Sequence, residues 1–415
     1  MYLNKKVLSW ALYDWGNSAF ATSIMAAFFP LFYKQYWASD MPAATSTFFL
    51  SLSLAVGGIA LAILAPFLGT VADAAKSKSR FLFGFTLIGA VATASMFFIA
   101  QGQWVYALLL YLVSSLCFSG GNIFYDALLV EVSEEKYYDR TSAFGFSLGY
   151  LGGGILLVIN VLMFLKPEVF GISSGTQAVK WSFVTVGAWW FFFAIPAFRI
   201  KPAQNMYHRD LKTLFLVAWK EILQTIKKVI KHKALLYFLL GYMLYIDGVH
   251  TVIKMAVDFG MSLGLDTNDM IKALVIVQFV GFPAALVFGF LGEKWSPFKA
   301  LLLGISIYIA VIIYAYNIQT STDFFILASI IGCIQGGVQA LSRSLFARFV
   351  PRQNSGEFFG LYNMLGKFSS FLGPSLIALT SFIFKDTRIS ILSLLILFFA
   401  GMFLLLKSMN AFKNS

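Results

Sequence analysis

Residues 46–80 read STFFLSLSLAVGGIALAILAPFLGTVADAAKSKSR. The run from Ser46 to Thr70 carries no charge and is long enough to cross a hydrocarbon core, which takes ~20 apolar residues as a helix. Directly after it come Asp73, Lys76, Lys78 and Arg80, so the chain passes from an apolar phase into a basic loop. A stretch of this kind is built for a bilayer rather than for the core of a soluble domain.

The rest of the chain repeats the pattern. Apolar runs bounded by charges or Gly/Pro predict spans near 8–33, 46–70, 81–101, 104–130, 142–165 and 178–198, then 234–258, 270–292, 298–317, 323–348, 358–383 and 388–407. Composition agrees: 59% of the 415 residues are hydrophobic and 12% charged, with a mean hydropathy of +0.79, against ~25% charged in soluble chains. The expected fold class is an all-α polytopic membrane protein of twelve transmembrane helices. The first apolar segment starts at Val7 and outruns a signal-peptide core, so it is read as a retained first helix. Cys117 and Cys333 both lie in apolar runs and imply no disulfide framework.

The one long polar stretch, Arg199 to Lys233, holds nine Lys or Arg. It divides the chain into an N-terminal six-helix bundle (1–198), a basic linker (199–233) and a C-terminal six-helix bundle (234–415). Leu211, Leu214, Phe215, Ala218, Ile222, Ile226 and Ile230 recur in it at helical spacing, as in an amphipathic helix on a membrane surface or a solvated connector. With the N-terminus inside, 22 Lys or Arg fall on the inner side and 6 on the outer. That asymmetry predicts that both termini and the linker are cytoplasmic. The net charge of +12 then reflects topology and anionic lipid, with no nucleic-acid partner.

The halves echo one another in chain order, the mark of an internal duplication. Cys117-Phe-Ser-Gly120-Gly121 matches Cys333-Ile-Gln-Gly336-Gly337, and Phe144-Gly145 matches Phe359-Gly360. Gly69-Thr-Val-Ala-Asp73 matches Gly289-Phe-Leu-Gly-Glu293, followed by Lys294, and Leu12-Tyr13-Asp14 is echoed by Leu244-Tyr245-Ile-Asp247. Each half has an even number of spans, so the copies are parallel.

Polar groups inside the spans are the candidate pathway, because an ionisable group at membrane depth costs at least ~2.5–3.5 kcal/mol unless it faces a partner or water. Asp14 and Asn17 share a face of the first span, and Asn122 and Asp126 a face of the fourth. Asp247, His250, Lys254 and Asp258 form one stripe of the seventh, and Gln335, Gln339 and Arg343 one of the tenth. One reading makes Asp14, Asp126 and Asp247 proton carriers, with Arg343 and Lys254 holding an anionic substrate group. The other makes them internal salt bridges, such as Asp126 with Arg343. His250 is a coupling candidate by its ordinary pKa, while Lys367 and Glu131 are read as interfacial or gating partners. Glycines at 120–121, 336–337, 149 and 152–154 mark close helix approaches, static or sliding. The three histidines, at 208, 232 and 250, are too scattered for a metal site or an intramembrane enzyme. No ATP-binding or other cofactor motif is present, and no pore-loop segment suggests a channel.

Six plus six helices around a basic linker, with Gly69-x-x-x-Asp73 ahead of Lys76, Lys78 and Arg80, resemble the major facilitator superfamily. Asp73 is followed by Ala74-Ala75 instead of a base, a departure from the usual loop. Within the superfamily the runs Trp10 to Ala19, Asn122 to Leu129, Tyr245 to Thr251 and Gln339 to Phe346 are similar to the vacuole-effluxer branch, relatives of a yeast vacuolar amino-acid permease. The resemblance implies a secondary active or facilitative transporter, not an enzyme, that works by alternating access. Its expected cargo is a small polar solute, amino acids being the best-known case; amphiphilic compounds, siderophores or lipids are the alternative. It places the first, fourth, seventh and tenth spans around a central cavity, and a gating latch at Gly69, Asp73 and Lys76 and at Gly289, Glu293 and Lys294. A monomer in a bacterial inner membrane, using no cofactor and at most a co-transported proton, is the expected setting.

Overall fold

A computed structural model describes residues 3–75, 77–200, 211–262, 264, 266–368 and 371–414. Among these, eleven helices are long and apolar enough to cross a membrane. The first span makes twelve: it is helical from 5 to 37, but π turns at Phe20–Phe28 and Tyr33–Trp37 interrupt its α segments Lys5–Ala19 and Phe29–Phe32. Asn4 caps its start, accepting the Val7 N–H at 2.9 Å. The remaining spans of the first half are Ala43–Ala74, Lys78–Ser95, Trp104–Val132, Tyr138–Leu165 and Gly175–Phe198. Those of the second half are Lys233–Ser262, Thr267–Lys294, Pro297–Ala315 and Ser321–Phe349, then the eleventh as Ser355–Phe368 with Leu372–Phe384 and the twelfth as Thr387–Leu392 with Leu395–Lys413. Pro66, Pro196 and Pro283 sit inside helices, which neighbouring helices allow in a membrane.

Within each half the spans pack through side chains that interlock at glycine. In the first half the fifth span presents Gly152 to the Trp15 backbone and ring, and Gly120 and Gly121 of the fourth receive the Phe85 ring and the Tyr13 hydroxyl. In the second half Gly337 of the tenth receives Phe288, and Gly248 of the seventh receives Phe398. A Cβ at any of these places would collide with its neighbour. The glycine runs therefore mark places where helices approach closely.

The halves meet along two seams. The eighth span lies on the fifth, with the Tyr150 ring filling the space left by both Gly281 and Gly336 and with Gly154 against Gln278. The eleventh lies on the second, through Gly69 on Gly356, Gly360 on the Ala65 backbone, and a cluster of Leu61, Ala65, Ile123 and Met364. A helix at Leu211–Lys231 joins the halves and rests on the second span. It buries Thr225 and Val229 while Leu223, Ile226 and Ile230 stay exposed beside Lys227, Lys228 and Lys231. Residues 201–210 lie outside the described chain. The face that carries this helix and both termini is called the linker side below.

Candidate functional site

The polar residues form three layers that begin at the linker side. In the first layer, the Glu357 N–H at the start of the eleventh span donates to Asp73 Oδ2 at 2.8 Å. The other oxygen, Oδ1, pairs with Lys78 Nζ at 2.8 Å, and Lys78 also binds Glu131 at 2.7 Å. A carboxylate at a helix N-terminus answers unpaired N–H groups and the positive end of the helix dipole. The end of a first-half span thus caps a second-half span. One turn back, Gly69 and Gly356 press backbone on backbone, with no room for a Cβ on either.

The repeat-related corner uses the eighth and fifth spans. Gly289 meets the Ala143 methyl and the Asp139 carbonyl, and Glu293 pairs with Arg140. Asp139, fully buried, accepts from Ser344 Oγ at 2.6 Å and Arg348 Nη2 at 2.8 Å. Among the described residues Asp73 pairs with Lys78; the expected latch base Lys76 lies outside them. Arg140 serves Glu293, while Lys294 approaches the Phe290 ring at 5.7 Å.

In the second layer, Arg343 of the tenth span reaches across to the first half. Its Nη1 donates to Asp126 Oδ1 at 3.0 Å, its Nε to Ser142 Oγ at 2.9 Å and its Nη2 to the Ser142 carbonyl at 2.9 Å. The rings of Phe146, Trp10 and Tyr125 lie 4.4, 4.8 and 5.1 Å from the guanidinium carbon. Asn363 of the eleventh span donates to the second Asp126 oxygen at 3.0 Å. Asp126 and Arg343 form an ion pair between the halves, and the Arg343 fork is engaged by Asp126 and Ser142. With Arg343 only 3% exposed, the cluster forms a floor between the halves.

Above that floor the side chains loosen. Asp14 is half-buried and accepts from Tyr125 OH at 3.0 Å and Ser18 Oγ at 3.3 Å. Asn17 donates to Asn122, one turn above Asp126, at 2.7 Å. Gln339 and Gln335, one and two turns above Arg343, are half-buried, as is Lys367, one turn above Asn363. The seventh-span stripe divides. Asp247 is fully buried and turned to the eleventh span, where it accepts the Gly373 N–H, whereas His250 is half-buried and Lys254 exposed. The Asp258 side chain lies outside the described set.

First and seventh spans present the same corner twice. A Cβ on Gly149 of the fifth span would meet Ser18 Oγ and Asp14 Oδ1, and one on Gly373 of the eleventh would meet Thr251 Oγ1 and Asp247 Oδ2. Each corner is an Asp, a hydroxyl one turn on, and a facing glycine.

Sequence reading passed over Ser142, Asn363, Asp139, Arg140 and Gly356. A lone amide inside an apolar run was the available signal for Asn363. For Ser142, Arg140 and Gly356 there was none, because they sit near predicted helix starts where polar and small residues are ordinary.

Two parallel six-helix bundles, held together on the linker side by acid–base contacts and carrying partly open polar side chains beyond the Arg343 cluster, have the architecture of a transporter of the major facilitator class. Residues 41–131 and 130–413 match the family described as "Vacuole effluxer Atg22 like", and the chain belongs to that family. It is 41% identical over 403 residues, 97% of this chain and 94% of the relative, to an uncharacterized MFS-type transporter, YxiO, of Bacillus subtilis strain 168. It is 26% identical over 304 residues to autophagy-related protein 22-1 of Neosartorya fischeri, covering 67% of this chain and 49% of that one; it spans about half the length of that fungal relative. Among solved structures it is similar in fold to the E. coli fucose:proton symporter FucP (TM-score 0.72, 11% identity, 97% of each chain). It is similar also to a bacterial homologue of the iron transporter ferroportin in an outward-facing state (TM-score 0.66, 12% identity, 99% of this chain and 98% of that one). The relatives are transporters, not enzymes, and this chain is a multi-pass membrane protein that moves a small solute.

Proposed function

We propose that the chain is a secondary active or facilitative carrier of a small polar solute, with amino acids as the first class to test, working by alternating access. The observation that supports it most is the contrast between layers. Asp73, Asp126, Asp139 and Arg343 are locked in contacts between the halves, while Asp14, Asn122, Gln335, Gln339, Lys254 and Lys367 keep part of their surface open above them. Such a chamber has a sealed floor and a polar wall, as a carrier needs when it faces one side of the membrane.

The positive-inside asymmetry supports a cytoplasmic linker side, and the Bacillus relative supports a bacterial plasma membrane as the setting. Exposed Leu223, Ile226 and Ile230 beside three lysines fit a linker helix lying on anionic lipid. A single copy holds the whole chamber, so a monomer suffices.

The test is thermal stabilisation of the purified, detergent-solubilised chain by amino acids, sugars, siderophores and lipids at acidic and neutral pH. A rise in Tm with amino acids, lost in Asp14→Asn and Gln339→Ala, supports the reading. Stabilisation by amphiphiles alone would move the substrate class to lipids and chelators.

A further inference from the structure

The two Asp–hydroxyl–glycine corners differ in one respect that the transporter reading does not use. At the first-half corner every polar atom is answered: Asp14 takes Tyr125 and Ser18. At the second-half corner Asp247 and Thr251 are 0% and 1% exposed. Gly373 answers one Asp247 oxygen, yet Asp247 Oδ1 and Thr251 Oγ1 have no hydrogen-bond partner among the described residues. Both residues belong to one helical turn of the seventh span, and Thr251 Oγ1 and the answered Asp247 oxygen, Oδ2, lie against the same point on the eleventh, at Gly373. No Lys or Arg nitrogen comes within ion-pair distance of Asp247 among the described residues; its nearest charged neighbours are Lys254, two turns along its own span, and, by way of His250, Lys367 of the eleventh. The twelfth span sets the Phe398 ring against Gly248 of this turn.

A buried carboxylate oxygen and a buried hydroxyl on one helical turn, each unanswered, are a costly arrangement unless something positive and small completes them. The glycine leaves no bulk in the way. An anion is refused by the carboxylate, and a large cation has no space between two helices in contact. Hard oxygen donors select sodium or a proton over soft metals.

We propose that Asp247 and Thr251 form the coupling-cation site of this transporter, taking a small monovalent cation, sodium or a proton, between the seventh and eleventh spans. The proposal rests on the carrier reading and locates the driving ion in the second half, away from the Asp14 corner. Because the site bridges the seventh span to the eleventh, and the eleventh carries Gly356 and the Asp73 contact at its other end, occupancy is linked to the linker-side closure.

The experiment uses the full-length, detergent-solubilised protein and measures Tm in sodium chloride against choline chloride at constant ionic strength, and separately across pH in sodium-free buffer. A rise of several degrees in sodium identifies sodium, and a rise only on acidification identifies the proton. Either response must vanish in Asp247→Asn and in Thr251→Val and persist in Thr251→Ser, which keeps the hydroxyl. A response that survives unchanged in Asp247→Asn, or no response to either ion in the wild-type chain, overturns the proposal. A solute-induced Tm rise without any cation effect would do the same while leaving the carrier reading standing. Monodisperse elution of each variant, with its cation-free Tm, separates loss of the site from loss of the fold.

Discussion

The two linker-side corners come from repeat-related loops, yet they close the molecule by different physics. Between second and eleventh spans the contact is backbone on backbone at Gly69 and Gly356, and the Asp73–Lys78–Glu131 ion cluster behind it is between 7% and 16% exposed. Between eighth and fifth spans Gly289 meets a methyl group, and the Glu293–Arg140 pair is about one-third exposed, at 31% and 34%. Duplication supplied one plan, and the halves have since specialised. The first corner is stiff and desolvated, so it sets whether the linker side can close. At the second the outer Glu293–Arg140 pair is open to solvent and screened, while Asp139 stays buried against Ser344 and Arg348, so the outer pair adjusts without deciding the state.

The largest effect expected from this difference is at Gly69. Gly69→Leu drives a side chain into the Gly356 backbone, which cannot move without displacing the eleventh span, and transport should be lost while the chain still inserts. Gly289→Ala meets the Ala143 methyl and should cost part of the activity, but less than Gly69→Leu, measured as uptake in proteoliposomes. Equal losses at both glycines would break the comparison.

Next in size is the floor they protect. Asp126→Asn leaves Arg343 buried and unpaired, which typically costs about 3–5 kcal/mol and should lower Tm by several degrees. Pairing it with Arg343→Met should recover most of the loss. No recovery would mean that each residue has a separate role.

Asp73→Asn should cost about 1–3 kcal/mol, the scale for leaving buried polar partners unanswered, read in a thermal melt. Glu293→Gln should cost ~0–1 kcal/mol, as for exposed ion pairs, and that small loss should fade in high salt. A salt-insensitive Glu293→Gln loss as large as that of Asp73→Asn would show the two corners to be alike.

How much of this was legible in the sequence depends on what each element needs to be recognised. Spans were readable because hydropathy registers burial in lipid directly. The Asp126–Arg343 pair was readable because two opposite charges at membrane depth, on repeat-related helices, have few other places to go. Periodicity shows which residues share a stripe, but not how the helix is rotated against its neighbours. For that reason Asp247 was grouped with His250 and Lys254, although it turns to the eleventh span while Lys254 remains exposed. The π turns at Phe20–Phe28 and Tyr33–Trp37 left no trace, since they change hydrogen bonding without changing composition. For Asp73 the sequence reading named Lys76 as the base, and the ion pair the structure describes is with Lys78, the first residue of the third span, a boundary that hydropathy does not fix to the residue.

The most direct test of the account is the accessibility of one chamber position from each side of the membrane. A single cysteine, Gln339→Cys, in a chain with Cys117→Ser and Cys333→Ser would be challenged with a membrane-impermeant thiol reagent in oriented vesicles. The account predicts labelling from the side opposite the linker and protection from the linker side, with the preference reversed by Gly69→Leu. Labelling from both sides at once, or no change of side when Gly69 is replaced, would contradict a chamber that opens alternately.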